Sequence, residues 1–284
     1  MKVSKGKIED YQRIIDFSNQ NERELSEDFL KEALESSTTG REGIYLVEDN
    51  AELQMVGLIW PWRDNALKLY SIISEKNMGT EDFTKYLGQI MDLYSQLTVD
   101  KKVKNLFYIT EKDVLVKAML NAGFDIYAQL FKYVMRDIQL PEVKELPITV
   151  RPFTEEDLEQ IIRLEQSIFM PEFWNSRNLF KEMANNPQGN LVVAEIMGQV
   201  VGYNYNRILE SNIGHLVRIG VHPDYQGLGV ASTMMRHAIN WFEKEKVFSI
   251  ILHVLKDNYQ GRGLYEKFGF QKEMNSDEYI LIYR

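Results

Sequence analysis

One run of eleven residues, Val221 to Ala231, constrains this chain more than any other part of its sequence. It reads Val-His-Pro-Asp-Tyr-Gln-Gly-Leu-Gly-Val-Ala, between an apolar strand predicted at Leu216 to Val221 and an amphipathic helix predicted from about Ser232 to Lys244. Backbone N–H groups converge at such a strand-to-helix corner, and the helix dipole adds partial positive charge. Because the run has no acidic side chain from Tyr225 to Ala231, the corner is predicted to hold a pyrophosphate.

The spacing of the small residues in this run distinguishes it from two other phosphate-binding motifs. It lacks the Gly-Lys-Ser/Thr of a Walker loop and the third glycine of a dinucleotide-binding turn. Gln226-x-x-Gly229-x-Ala231 instead resembles the acetyl-CoA signature of the GNAT N-acetyltransferases, Arg/Gln-x-x-Gly-x-Gly/Ala. The resemblance implies acetyl-CoA as co-substrate and no metal. The cofactor-binding residues that it implies on the strand end and the corner are Ile219, Gly220, Val221, Gln226, Gly227, Leu228, Gly229, Val230, Ala231 and Ser232.

A second motif, Asn258-x-x-Gly261-x-x-Leu264-Tyr265, resembles the family pattern Asn-x-x-Ala-x-x-Leu-Tyr. In the family this asparagine meets the pantetheine arm, and the tyrosine hydroxyl lies near the cofactor sulfur. The resemblance therefore implies that Asn258 binds the cofactor and that Tyr265 protonates the departing thiolate. The alternative for Tyr265 is a packed aromatic side chain before a turn. Gly261 departs from the family alanine, which weakens the start of the helix by about 1 kcal/mol.

The general base is less well defined by the sequence. His215 lies six residues before Val221, where some family members place a glutamate, and its ordinary pKa suits the task. A structural histidine at the start of a strand is the alternative, and a water chain is another route for the proton. Glu195, Glu210 and Tyr283 are further candidates, whereas His222, His237 and His253 are interpreted as structural. No cluster of His, Asp and Glu has the spacing of metal ligands.

Composition narrows the classes of function. The chain has no cysteine, which excludes disulfides, cysteine zinc sites and a cysteine acyl-enzyme, and its net charge of -9 argues against nucleic-acid binding. No stretch is long enough to span a membrane, and the first residues have no apolar core typical of a signal peptide. We therefore expect a cytoplasmic protein with no membrane or nucleic-acid partner.

The two halves of the chain follow one plan. Val56-Gly57 corresponds to Val201-Gly202, and Tyr133 to Tyr279, at offsets of 145 and 146 residues, which suggests a duplication. A linker with two prolines is predicted at Gln139 to Pro147. We expect an α/β fold of two tandem GNAT-like domains, residues 1–140 and 148–284. Each is expected to have a central mixed, mostly antiparallel sheet flanked by helices.

The first half lacks the residues that the acetyl-CoA signature requires. It reads Met78-Gly79-Thr80-Glu81-Asp82 where the second half has its glycine corner, so two carboxylates would lie where phosphates must bind. Tyr265 corresponds to Met119. We expect a degenerate first domain that keeps the fold without the acetyl-CoA site.

The predicted function is acetyl transfer from acetyl-CoA to a primary amine, by direct attack in a ternary complex. The acceptor is expected to be a small-molecule amine or an amine of a peptide or protein, contacted by Tyr203, Tyr205 and Arg207. The segment Phe169 to Trp174 is predicted either to cover the acceptor site or to form an inter-helix core. The main alternative function is an acyl-CoA sensor that does not turn over its ligand, and peptidoglycan aminoacyl transfer fits the sequence less well. A homodimer remains a possible oligomeric state.

Overall fold

The structure is a computed structural model, and it describes residues 1–23, 25–36, 40–63, 66–97, 105–138 and 147–284. The chain forms two compact units, one of Met1–Gln129 with Glu278–Arg284 and one of Leu130–Asp277. These units depart from the expected domains 1–140 and 148–284, because residues 130–138 fold with the second unit and residues 278–284 with the first. Of the expected linker, only Pro147 lies within the described residues.

The first unit is a mixed sheet with helices on both faces. Its strands pair in the order β1-β2-β3-β4-β5-β13, and β4 and β5 are parallel neighbours. The strands are β1 (Lys2–Lys5), β2 (Gly43–Asp49), β3 (Glu52–Arg63), β4 (Ala66–Ser74), β5 (Asn105–Thr110) and β13 (Glu278–Tyr283), and the helices are α1 (Tyr11–Gln20), α2 (Glu27–Ser36), α3 (Thr80–Gln96) and α4 (Asp113–Asn121). A further strand, β6 (Asp125–Met135), begins in this unit and ends in the second.

The second unit repeats this plan. Its strands pair in the order β6-β11-β10-β9-β8-β7, with β12 also paired to β6, and β10 and β11 are parallel neighbours. The strands are β7 (Thr149–Pro152), β8 (Gly189–Ile196), β9 (Gln199–Ile208), β10 (Gly214–Val221), β11 (Ile250–Leu255) and β12 (Gln271–Lys272), and the helices are α5 (Leu158–Ile168), α6 (Arg177–Asn185), α7 (Val230–Lys244) and α8 (Tyr259–Lys267). The expected α/β fold, with mixed and mostly antiparallel sheets flanked by helices, is confirmed.

Successive side chains along a strand point to opposite faces of the sheet, and in the second sheet both faces are apolar, as expected for a sheet covered on both sides. Val193 packs in a core with α5 and α6, whereas its neighbour Ala194 packs in a core with α7. Tyr265 of helix α8 and Phe268, the residue that follows the helix, belong to the apolar cluster that includes β11 and the end of β6. No helix in the described ranges is long and apolar enough to cross a membrane.

Candidate active site

The corner between β10 and α7 has the backbone geometry that its glycines suggest. After a short 3-10 turn at Pro223–Tyr225, Gly227 and Gly229 adopt φ angles of 78° and 85°. A side chain at either position would strain the backbone by about 1–3 kcal/mol, so both need glycine. A Cβ atom placed on Gly227 would meet no atom within 4 Å, which shows open space beside the turn.

Helix α7 begins at Val230, two residues before the expected Ser232, with Gly229 as its N-cap residue. An α-helix leaves its first N–H groups without partners inside the helix. The N–H groups of Val230, Ala231 and Ser232 therefore belong to the first helical turn, next to the two glycines. Together these groups form a cradle of main-chain donors at the positive end of a fifteen-residue helix.

The strand before this corner separates from its parallel neighbour. The register of β10 with β11 covers three pairs, from Gly214 opposite Ile250 to Leu216 opposite Leu252. Beyond that point β10 continues to Val221 and remains paired only with β9, while β11 continues to Leu255 paired with β6. Within this described region the strands thus open a gap that starts at Leu216 and ends at the glycine corner, and Ile219, Gly220 and Val221 lie along it.

Side-chain hydrogen bonds fix the separated part of β10. The pairing of β10 with β9 is irregular between Leu216 and Arg218, and the buried Asn204 on β9 donates from Nδ2 to the Arg218 carbonyl at 2.9 Å. Gln226 donates from Nε2 to the Val221 carbonyl at 3.2 Å. These bonds satisfy main-chain acceptors that the irregular ladder does not, so the edge of β10 is held in place.

Asn258 and Tyr265 lie at opposite ends of α8. Asn258 is the N-cap residue, and its Oδ1 accepts from the Gly261 N–H at 2.9 Å. A Cβ atom on Gly261 would lie 2.7 Å from the Asn258 Nδ2 atom, so an alanine here would require the Asn258 side chain to shift. Asn258 thus caps the helix as well as standing at the position that the resemblance assigns to the cofactor.

Tyr265 is 6% exposed and packs between two aromatic rings. Its ring centroid lies 6.4 Å from that of Tyr133 and 6.1 Å from that of Phe270. Burial raises the pKa of the Tyr265 hydroxyl above its ordinary value, because the charged phenolate would be desolvated. The hydroxyl therefore stays protonated at neutral pH, and burial makes it a weaker acid than an exposed tyrosine.

His215 lies at the beginning of β10, where the parallel pairing with β11 begins. Its ring packs edge-on against that of His253 on β11, with centroids 5.8 Å apart, and its Nδ1 atom is buried without a hydrogen-bond partner among the described residues. Burial, with smaller contributions from His253 and Arg207, lowers the pKa of His215 to about 3. The ring is therefore neutral at pH 7, and it is a weak base.

The other base candidates have separate structural roles. The Tyr283 hydroxyl lies 2.7 Å from Ser95 Oγ in the first unit, so the sequence interpretation that kept it with the second half is wrong. Glu195 accepts from Arg151 Nε at 2.9 Å at the edge of the second sheet. Glu210 lines a cavity of about 640 Å³ at the β9–β10 turn, together with Arg207.

A buried ionic cluster joins the loop between α5 and α6 to the separated part of β10. Arg218 donates from Nη2 to Glu165 Oε1 at 2.6 Å and to the Phe173 carbonyl at 2.9 Å, and from Nε to the Tyr203 hydroxyl at 2.9 Å. Its guanidinium also lies 3.6 Å from the centre of the Phe169 ring. The Tyr203 hydroxyl donates to Glu165 as well. The segment Phe169 to Trp174 is thus fixed on β10 through a side chain that sequence reasoning missed, although a lone arginine in an apolar strand was a visible signal.

The equivalent corner of the first unit has different chemistry. Helix α3 begins at Thr80 after Gly79, which has an ordinary φ of -67°, and Glu81 and Asp82 occupy its first turn. Among the described residues, the parallel pairing of β4 with β5 also covers three pairs, from Ala66 to Lys68, so the two strands separate beyond Lys68 in the same way. Acidic groups nevertheless stand at the helix start where an anion would have to bind.

Comparisons with known proteins give a family match for part of the second unit. Residues 156–270 match the family model of the acetyltransferase (GNAT) family. Over 122 residues the chain is 28% identical to a putative [ribosomal protein bS18]-alanine N-acetyltransferase of Bacillus subtilis (strain 168), which covers 43% of this chain and 80% of the relative.

Two solved structures share the fold along nearly the whole chain. A GCN5-related N-acetyltransferase from Sphaerobacter thermophilus superimposes with a TM-score of 0.64 at 16% identity, covering 99% of this chain and 95% of the other. A tandem GNAT protein from the clavulanic acid biosynthesis pathway gives a TM-score of 0.63 at 10% identity, covering 99% and 98%. At these identities the likeness concerns the fold.

Residues 156–270 thus match the acetyltransferase (GNAT) family, and the α/β fold of the whole chain is shared with a tandem GNAT protein. The described residues contain no group of three or more His, Cys, Asp and Glu side chains that could hold a metal ion.

Proposed function

We propose that this protein is an acetyl-CoA-dependent N-acetyltransferase that moves the acetyl group to a primary amine by direct attack in a ternary complex, with its site in the second unit. The observation that carries this proposal is the pair of left-handed glycines, Gly227 and Gly229, at the open end of the gap between β10 and β11. The main-chain donors of residues 227–232 would bind the pyrophosphate, because they converge at a helix N-terminus. The edge of β10 that β11 leaves unpaired, residues 217–221, would bind the pantetheine arm as an added strand.

Tyr265 is the proposed proton donor. When bound, acetyl-CoA supplies the acetyl group and a thiolate leaving group. The buried phenol stays protonated at neutral pH, and because burial makes it a weaker acid, it can donate to a thiolate with a pKa near 8.5 only when the two groups are in direct contact and water is scarce. Asn258, at the other end of α8, is proposed to bind the pantetheine arm and so to keep the cofactor sulfur near the Tyr265 hydroxyl.

The proton that the attacking amine must lose needs an acceptor. His215 remains our proposed residue to test, but its lowered pKa of about 3 favours the alternative of a water chain to solvent. A histidine base of that pKa would hold a proton only briefly. Exchange of His215 for Asn is therefore expected to lower turnover by less than the loss of Tyr265.

The acceptor that we propose to test first is the α-amine of a peptide. The Bacillus subtilis relative, 28% identical over 122 residues, is named as a putative alanine N-acetyltransferase of a ribosomal protein. A peptide that begins with alanine is thus the first acceptor, and polyamines and free amino acids complete the panel.

The experiment follows release of the free CoA thiol with a colorimetric thiol reagent, using acetyl-CoA and this panel. The chain has no cysteine, so the protein contributes no background. We expect turnover with at least one amine, and about 100-fold slower turnover for Tyr265→Phe with an acetyl-CoA Kd within about twofold of the unmodified protein. Acetyl-CoA binding without thiol release from any amine would contradict transfer and favour an acyl-CoA sensor.

A further inference from the structure

The strand segment Leu130–Met135 is part of the second unit, although it precedes the expected linker in sequence. It pairs antiparallel with all of β11, from Leu130 opposite Leu255 to Met135 opposite Ile250. Lys132 and Arg136 add ion pairs to Glu273 at 2.7 and 2.5 Å. The strand that forms one side of the proposed cofactor gap is therefore itself supported by residues of the first half of the sequence.

One side chain of this segment reaches α8, the helix that carries Tyr265. Tyr133 is 1% exposed, and its hydroxyl donates to Glu266 Oε1 at 2.7 Å. Arg262 Nε lies 3.4 Å from the same hydroxyl. Burial and the bond to Glu266 raise the pKa of Tyr133, so the hydroxyl stays protonated and keeps donating.

Tyr133 thus holds Tyr265 in two ways. Its ring packs against the Tyr265 ring at 6.4 Å, and its hydroxyl is bonded to the next residue along the helix, Glu266. The guanidinium of Arg262 also lies 5.1 Å from the centre of the Phe131 ring, which is a second contact from the same strand to α8. A rotation or shift of α8 would break both the aromatic packing and the hydrogen bond.

We infer that Tyr133 is a positioning residue for the proposed acid Tyr265, so that the first half of the sequence supplies a functional part of the transferase site in the second unit. This inference rests on the proposed function. Proton transfer depends steeply on geometry, and a displacement of about 1 Å can cost about 100-fold in rate. Removal of one hydrogen bond that holds α8 is expected to displace Tyr265 less than this and to lower the rate of transfer about tenfold.

The test is a double-mutant cycle on the full chain, with acetyl-CoA and an alanine-starting peptide, or the most active amine of the panel, as probes. Tyr133→Phe keeps the ring and removes the bond to Glu266; it is made alone and together with Tyr265→Phe. If Tyr133 acts through Tyr265, the Tyr133→Phe substitution should lower kcat about tenfold in the unmodified protein. It should lower kcat less than twofold in the Tyr265→Phe variant, because the effects of coupled residues are not additive. The acetyl-CoA Kd, measured by calorimetry, should change less than twofold.

Glu266→Ala is the second variant, because Glu266 is exposed and its loss leaves the core intact. Its exposed neighbour Lys267→Ala is the matched control. Glu266→Ala should reproduce the fall in kcat and speed amide hydrogen exchange in α8 but not in α7, whereas Lys267→Ala should do neither.

Equal falls in kcat for Tyr133→Phe in both backgrounds, or no fall in the first, would overturn the positioning role alone. An unaltered kcat for Tyr265→Phe by itself would remove the acid assignment and this inference with it. The two failures are therefore distinguishable.

Discussion

At the scale of single residues, Arg218 shows how much of the site depends on one buried charge. Glu165 is 1% exposed and accepts from Arg218, Tyr203 and the Asn175 N–H. Exchange of Arg218 for Met would leave this carboxylate buried without its counter-charge. We expect the free energy of unfolding, measured in urea, to fall by about 3–5 kcal/mol.

The control for Arg218→Met adds Glu165→Gln. The amide is neutral and can still accept the Asn175 N–H, so the double variant should recover part of the lost stability. Equal stability of the single variant and the unmodified protein would show that the pair contributes no net stability.

His215 gives a prediction on pH. Its folded pKa of about 3 lies below the ordinary 6.5, so the unfolded chain binds the proton more readily. The stabilising contribution is full above about pH 6.5 and decreases as pH falls towards 3. Urea titrations at pH 7.5 and 5.0 should show a larger loss for the unmodified protein than for His215→Phe, by about 1–2 kcal/mol. The opposite order, or no difference, would contradict the buried neutral state.

At the scale of elements, α8 offers a pair of glycines with different surroundings. A Cβ atom on Gly261 would meet the Asn258 side chain at 2.7 Å, whereas one on Gly263 would meet nothing within 4 Å. Gly261→Ala should therefore displace Asn258 and weaken acetyl-CoA binding. Gly263→Ala should stabilise the helix by up to about 1 kcal/mol and leave the affinity unchanged. Calorimetry and thermal melting measure the two effects, and equal affinities for both variants would argue against a role of Asn258 in binding.

The corner before α7 is the element that the sequence predicted best. The glycine spacing and the missing acidic side chains are local signals, and the structure shows positive φ at both glycines and a helix start within two residues of the expected one. The buried cluster around Arg218 was not predictable, because its partners come from a helix, a neighbouring strand and a loop that no periodic pattern brings together.

At the scale of the whole molecule, the sequence did not predict the pairing partners of β6 and β13. The offset of 146 residues correctly predicted that Tyr133 and Tyr279 occupy equivalent strands of two similar sheets. The strand propensity of a segment is the same whichever sheet it joins. The sequence pattern therefore could not show that β6, from the first half, pairs with β11 in the second unit, or that β13, from the second half, pairs with β5 in the first unit.

This pairing predicts how fragments behave. Residues 148–277 lack the strand that pairs with all six residues of β11, so they would expose an unpaired edge and an open core. We expect no cooperative melting for that fragment, and a cooperative transition for residues 125–277. Cooperative unfolding of the shorter fragment, followed by circular dichroism, would show that the strand is dispensable.

The central claim is that the glycine corner of the second unit binds the diphosphate of acetyl-CoA, and calorimetric titration of acetyl-CoA into Gly229→Glu tests it most directly. Gly198→Ala is the control, because Gly198 also has a positive φ of 78° but lies in the turn between β8 and β9. Folded Gly229→Glu is expected to show no measurable binding, while Gly198→Ala keeps the Kd of the unmodified protein. An unchanged Kd for folded Gly229→Glu would contradict the central claim.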